Sequence, residues 1–247
     1  MKKIALYGGT FDPFHLGHRA VCKGLLELDH FDQLIVMTSG DSPHKSMQNR
    51  PPAVYRYKMA QLSLRDLLAQ YPDTLELSDF EILQAGTSYT LKTLQALKDS
   101  CPCACELSLI GGSDVLHEIL SWYEPLKILE LAHLGIIHRP GYRAAQDKLA
   151  AAKLEQRYGA TVHFYPLSVP KASSSSIRSS IAAGMDPASQ AITEEVAAFI
   201  TSHRIYRDGP VHHASPEQQA QWLELWRADG FDVAFEAAEK ALYNKDE

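Results

Sequence analysis

Gly8-Gly9-Thr10-Phe11-Asp12-Pro13-Phe14-His15-Leu16-Gly17-His18 follows an apolar run, Ile4 to Tyr7, and leads directly into a helix-like segment, Arg19 to Asp29. A strand, a glycine turn and two histidines at a helix start, in that order, describe a phosphate site. Glycines let backbone N–H groups approach an anion without interference from Cβ, and a helix N-terminus presents unpaired N–H groups with partial positive charge. His15 and His18, three residues apart, are expected to aim their imidazoles at one ligand. The spacing matches neither the Walker loop, which needs Gly-Lys-Ser/Thr after four intervening residues, nor the dinucleotide fingerprint G-x-G-x-x-G.

Outward from this turn, strand-like and helix-like patterns alternate to about Arg207, the mark of a parallel sheet covered on both faces. The fold expected is α/β: a doubly wound, mostly parallel, Rossmann-like sheet. Strand candidates are Ile4 to Tyr7, Gln33 to Thr38, Thr74 to Leu77, Glu106 to Ile110, Leu134 to His138 and Thr161 to Tyr165. Helix candidates are Arg19 to Asp29, Ala53 to Ala69, Ser88 to Asp99, Asp114 to Leu120, Ala144 to Tyr158, Ile177 to Ala183 and Glu194 to His203. Ser113 and Thr193 are the expected N-caps, and Gly184 follows the end of a short helix. Ligands in such sheets bind beyond the carboxyl ends of the strands, where the strand order reverses. Gly8-Gly9, Ser39 to Lys45, Gly111 to Asp114 and Arg139-Pro140-Gly141 each come immediately after a strand candidate. They are therefore expected to converge on one edge of the sheet.

Residues 208–247 break the alternation at Asp208-Gly209-Pro210, so the chain divides into a domain over 1–207 and a helical C-terminal extension. Ser215-Pro216 offers an N-cap with proline at N1, opening a helix through Trp222 and Trp226 to Gly230; a second helical run covers Val233 to Tyr243. Trp222 and Trp226, four apart, share a helix face that needs an apolar cover. Packing back on the chain's own core is favoured over a partner interface.

Of the 247 residues, 45% are hydrophobic and 22% charged, which are ordinary globular values, and a chain of this length buries a substantial core. A net charge of -6 argues against a nucleic-acid partner, whose footprint is a basic patch or stripe. No apolar run approaches the length of a membrane span, and the start lacks a signal-peptide pattern, so a cytoplasmic location is expected. Cys101, Cys103 and Cys105 have the period-two spacing of one strand face, but no Cys/His pair at finger-like spacing completes a metal site, and no protein-held metal is expected. Homo-oligomerisation is left open.

The run ending in His15-Leu16-Gly17-His18 resembles the H-x-G-H motif of the nucleotidyltransferase superfamily. More of the chain agrees. Ser42-Pro43-His44-Lys45, Ser88-Tyr89-Thr90, Ile110-Gly111-Gly112-Ser113-Asp114 with Trp122, Arg139-Pro140-Gly141-Tyr142 and Ser173-Ser174-Ser175-Ser176-Ile177-Arg178 resemble, in order, motifs of the bacterial nicotinate-nucleotide adenylyltransferases. The likeness covers roughly the first five-sixths of the chain. Two departures stand out: Ser42 where that family usually has proline, and Ala172-Ser173-Ser174-Ser175 for Ile-Ser-Ser-Thr, which keeps a hydroxyl at the last position.

The resemblance implies transfer of the adenylyl group of ATP to nicotinate mononucleotide, with Mg2+ delivered on the ATP. His15, His18, Arg178 and Lys45 then carry the transfer. Gly8, Gly9, Thr10, Phe11, Gly111, Asp114, Ser174 and Ser175 bind ATP, and Thr90, Trp122 and His44 bind the second substrate. From the residues alone, each has a plainer reading: helix cap or core for the histidines, core for Trp122, helix-start charge compensation for Asp114. Acceptors of the same chemistry, nicotinamide mononucleotide or phosphopantetheine, and a non-catalytic nucleotide-binding module are the alternatives.

Overall fold

The computed structural model describes residues 1–40, 50–84, 88–137, 144–207, 209 and 214–243. Its strands are β1 (Lys2–Gly9), β2 (Gln33–Thr38), β3 (Leu75–Ser78), β4 (Cys105–Gly112), β5 (Ala132–Ile137) and β6 (Val162–Tyr165). Its helices are α1 (Leu16–Glu27), α2 (Ala53–Gln70), α3 (Phe80–Leu83), α4 (Thr90–Ser100), α5 (Asp114–Glu118), α6 (Pro125–Leu131), α7 (Ala144–Tyr158), α8 (Ser174–Ala182), α9 (Glu194–Ser202), α10 (Pro216–Asp229) and α11 (Phe231–Tyr243).

Every strand pair is parallel, in the order β3-β2-β1-β4-β5-β6. Ile4, Ala5, Leu6 and Tyr7 are buried in succession, as a strand covered on both faces requires. Their side chains alternate between two cores. Ile4 and Leu6 pack with Leu94 of α4, Leu116 of α5, Ile128 of α6 and Leu154 of α7. Ala5 and Tyr7 pack with Leu25 of α1 and Leu64 of α2 on the other side. The order reverses between β1 and β4, which lie side by side with Tyr7 opposite Ile110. The carboxyl ends of these two strands open the crevice where a doubly wound sheet receives its ligand.

β2 keeps the limits expected from sequence, the other strands shift by one or two residues at one or both ends, and two helices had no sequence signal of their own. Four-residue α3 is too short for a periodic pattern. α6 starts with Pro125 at its first turn after Glu124 adopts φ 47°, a turn that no glycine announces. Thr193 caps α9 through its hydroxyl, which accepts from the Val196 N–H, and Gly184 follows α8 with φ +94°. Ser113 is not a side-chain cap; its hydroxyl donates instead to the buried Asp147 carboxylate at 2.7 Å. The three cysteines do not share a strand face either. Only Cys105 lies in β4, with Cys101 just past the end of α4 and Cys103 in the intervening turn.

A third core joins α2, α8, α9, α10 and α11. Trp222 and Trp226 are buried in it with Tyr55, Ile177, Ile181 and Val196, so the chain's own apolar surface covers the tryptophan face. The Ser215 hydroxyl accepts from the Gln218 N–H while the Gln218 side chain accepts from the Ser215 N–H, closing a capping box at the start of α10. Asp208 and 210–213 lie outside the described residues. Among the described residues, no helix is long and apolar enough to cross a membrane.

Candidate functional site

The turn after β1 is built by close approach. Phe11 takes φ 50°, the left-handed region that a bulky residue seldom enters, and its ring lies over Gly9, where a Cβ would stand 2.6 Å from Cε1. From there it packs against Tyr7, Phe14 and His18, with ring centroids 5.6, 4.8 and 4.9 Å away. The Asp12–Pro13 peptide is cis.

His15 and His18 cap α1 reciprocally. The His18 N–H donates to His15 Nδ1 and the His15 N–H to His18 Nδ1, both at 3.2 Å, and the rings stack 3.5 Å apart at 10°. Each Nδ1 is thereby an acceptor, which assigns the remaining proton of the neutral ring to Nε2. Gly17 makes the stack possible, because a Cβ there would sit 2.9 Å from Cε1 of His15. The two rings have different exposures to the site: His18 lines the cleft, whereas His15 is 3% exposed and is not among the lining residues.

Charges hold the turn against α8. Arg178 donates to the Asp12 carbonyl at 2.6 Å and approaches the Asp12 carboxylate at 3.6 Å, while the Ser174 hydroxyl donates to the Pro13 carbonyl at 3.2 Å. Arg50 reaches the same carboxylate at 3.4 Å, and the Tyr206 hydroxyl donates to it at 2.6 Å. Burial, followed by the neighbouring Asp12 charge, pushes the Tyr206 phenol well above its ordinary value, so it remains a donor. Arg56, 1% exposed, donates to the carbonyls of Thr10 and Ser39, joining the exits of β1 and β2.

The opposite wall comes from β4 and the helices over it. Gly111, Gly112 and Asp114 close the end of β4, and buried Asp147 of α7 holds this segment by accepting from Ser113, with His117 Nε2 3.3 Å away. Ser88, Tyr89 and Thr90 at the start of α4 face Trp122 and Tyr123 before α6, and the Tyr89 and Tyr123 rings lie 4.7 Å apart. Glu81 of α3 completes this wall; burial raises its carboxyl, which accepts from Thr93 Oγ1 at 2.7 Å.

The two walls bound one cleft of about 500 Å3, a volume suited to a nucleotide-sized ligand. Of the residues singled out in the sequence, Gly8, Gly9, Thr10, Phe11, His18, Thr90, Gly111, Asp114, Trp122, Ser174, Ser175 and Arg178 line it together. Lys45, His44 and the Arg139 to Tyr142 block lie outside the described residues. Sequence reasoning passed over Asp12, Arg50, Arg56, Glu81, Tyr123 and Tyr206. Asp12 sits inside the opening motif, but its partner Tyr206 is 194 positions away, and no spacing rule reaches that far.

The parallel sheet with a cleft at its switch point is a doubly wound α/β architecture, and the cytidylyltransferase-like family model, which matches residues 6–180, sets the chain among the nucleotidyltransferase-type proteins. The chain belongs to the nicotinate-nucleotide adenylyltransferase family within that class. It is 32% identical over 212 residues to the probable nicotinate-nucleotide adenylyltransferase of Symbiobacterium thermophilum, covering 86% of this chain and 99% of the relative. The protein of the same name from Chloroherpeton thalassium is 37% identical, over 84% of this chain and 99% of its own length. The fold is shared with Plasmodium falciparum nicotinic acid mononucleotide adenylyltransferase complexed with NaAD, at TM-score 0.65 and 20% identity over 83% of this chain and 98% of that one.

Proposed function

We propose that this chain transfers the adenylyl group of ATP to nicotinate mononucleotide, forming nicotinate adenine dinucleotide and pyrophosphate, as a cytoplasmic step in making NAD. The observation that carries the reading is the meeting of His18, Ser174, Ser175 and Arg178 with Thr90 and Trp122 around one cleft. The names of the relatives support the same reaction. A phosphate oxygen of the mononucleotide attacks the α-phosphorus of ATP in line, the new P–O bond forms, and the bond to the bridging oxygen of pyrophosphate breaks. No covalent enzyme intermediate is required, so the protein's task is to position and neutralise.

His18 donates its Nε2 proton as a hydrogen bond to a phosphate oxygen, strengthening as charge develops. His15 acts behind it, holding that ring by stacking and by the shared cap. Ser174, Ser175 and Arg178 receive the departing β- and γ-phosphates at the start of α8, where hydroxyls, N–H groups and a guanidinium coincide. Gly8 to Phe11, with Gly111 and Asp114, take the nucleoside side, and Lys45 and His44 supply cationic or donor groups to the substrate phosphate.

Thr90 opens α4, whose N-cap Tyr89 makes no side-chain cap hydrogen bond, so the first N–H groups of the helix suit the pyridine carboxylate while Trp122 offers a flat surface to the ring. Asp114 lines the cleft with three other carboxylate residues, Asp12, Glu81 and Glu118, and at the end of β4 it is placed to meet magnesium carried in on the ATP phosphates. Bound with ATP, Mg2+ supplies charge neutralisation of the triphosphate.

Purified protein given ATP, Mg2+ and nicotinate mononucleotide should release pyrophosphate. Folded protein that releases none overturns the reading. Faster turnover of nicotinamide mononucleotide or phosphopantetheine in the same panel reassigns the acceptor.

A further inference from the structure

We propose that the C-terminal hairpin, α10 and α11, is a brace for the acceptor wall of the cleft, and that Trp226 is a positioning residue for acceptor binding through Asp79 and α3. This rests on the acceptor assignment made above. The family-model match ends at residue 180, ahead of the hairpin, and the whole of the Clostridium tetani relative is covered by 84% of this chain.

The bonds run from one helix to one wall. Trp226 Nε1–H donates to Asp79 Oδ2 at 2.7 Å, and Arg227 Nε–H donates to the Leu83 carbonyl at 3.1 Å. Asp79 and Leu83 stand at the two ends of the four-residue helix α3, so α10 holds that helix at both ends. A helix of one turn has no intrinsic stability and takes its place from what it packs on. Behind it, Tyr57 packs edge-on to Trp226 at 4.9 Å, touches Phe231 at 4.8 Å, and donates to the Leu77 carbonyl in β3.

What α3 carries is functional surface. Glu81 lines the cleft, accepts from Thr93 in α4, and through its carbonyl accepts from the Ser88 hydroxyl at 3.2 Å. Ser88, Tyr89 and Thr90 are the acceptor wall itself. The chain of contacts is therefore Trp226 to Asp79, α3, Glu81, then Ser88 and Thr93 on either side of Thr90. The phosphate side is held by other bonds, from Arg178, Tyr206 and Arg56, none of which passes through α10.

Trp226→Phe removes the indole N–H but keeps an aromatic ring against Tyr57 and Phe231. We expect KM for nicotinate mononucleotide to rise about five- to tenfold, less than the full cost of one lost hydrogen bond to a charged group because the loss reaches the acceptor only through α3, with KM for ATP at the wild-type value. Hydrogen–deuterium exchange of peptides spanning 79–84 should accelerate in the same variant without any substrate. Tyr243→Phe, which removes the donor to the His203 carbonyl at the far end of the hairpin, should lower Tm and leave both KM values and that exchange unchanged.

Trp226→Phe that lowers Tm with both KM values unmoved, or that raises both equally, overturns the brace. Unchanged exchange at 79–84 overturns it as well. Wild-type protein that does not use nicotinate mononucleotide removes the acceptor reading instead, and the substrate-free exchange distinguishes that failure from failure of the brace.

Discussion

The cleft wall built by the turn after β1 and α8, and the C-terminal hairpin, are organised on opposite principles. At the wall, polar groups are buried against one another: Asp12 between two arginines and a tyrosine, Arg56 on two carbonyls, Phe11 at positive φ. In the hairpin, tryptophans, phenylalanines and alanines pack with few buried charges. Buried polar groups break even only when every partner is present, whereas apolar packing stabilises in proportion to area. The wall is thus expected to convert stability into a fixed constellation of donors, and the hairpin to return stability to the fold.

The largest expected effect tests the hairpin's half of that contrast. Trp222→Ala should cost about 3–5 kcal/mol in denaturant unfolding, as a truncated core aromatic does, while KM for ATP holds. A shifted ATP KM would mean that the two regions are not separable. Next comes the wall: His18→Ala should lower turnover about a hundredfold to a thousandfold, the scale of a lost oxyanion donor. That variant also loses one bond of the α1 cap. His18→Asn is the sharper probe, because its Oδ1 can take the place of Nδ1 in the cap while the Nε2 donor disappears. Turnover should fall as far in both, with Tm better preserved in the asparagine variant.

Tyr206→Phe addresses the bond from the turn after α9 to Asp12. Losing a donor to a buried carboxylate should destabilise by about 1.5–3 kcal/mol and raise KM for ATP, since Arg178 and Asp12 share the same node. An unchanged KM would confine Tyr206 to stability.

The smallest effect concerns pH. Burial lowers the His203 imidazole, but Glu239 at 2.7 Å and the Phe199 carbonyl outweigh it, so its folded value lies above the ordinary 6.5. Protonation is then favoured by folding. The stabilisation is complete below the unfolded pKa and disappears as pH rises through the raised folded value. The Tm difference between wild type and His203→Gln should therefore shrink from pH 6 to pH 9; a constant difference would place the contribution in packing.

Legibility followed the range of the interactions. The Gln33–Thr38 strand and the Ala144–Tyr158 helix match their sequence limits because apolar periodicity is local. α3 has no period to read, and it became visible only through Asp79, Leu83 and their partners in α10. In the site, the glycine turn, the paired histidines and the serine-arginine helix start were plain from spacing. The division of labour between His15 and His18 was not, because spacing cannot say which of two stacked rings faces outward.

From sequence alone came the alternating α/β pattern, the turn after β1 and the residues whose chemistry suits a triphosphate, since each is written within a dozen neighbouring positions. Tertiary structure decided what sits beside Asp12, where the tryptophan face is covered, and how α3 is held, since those partners lie far apart in sequence and meet only when the sheet and its layers close.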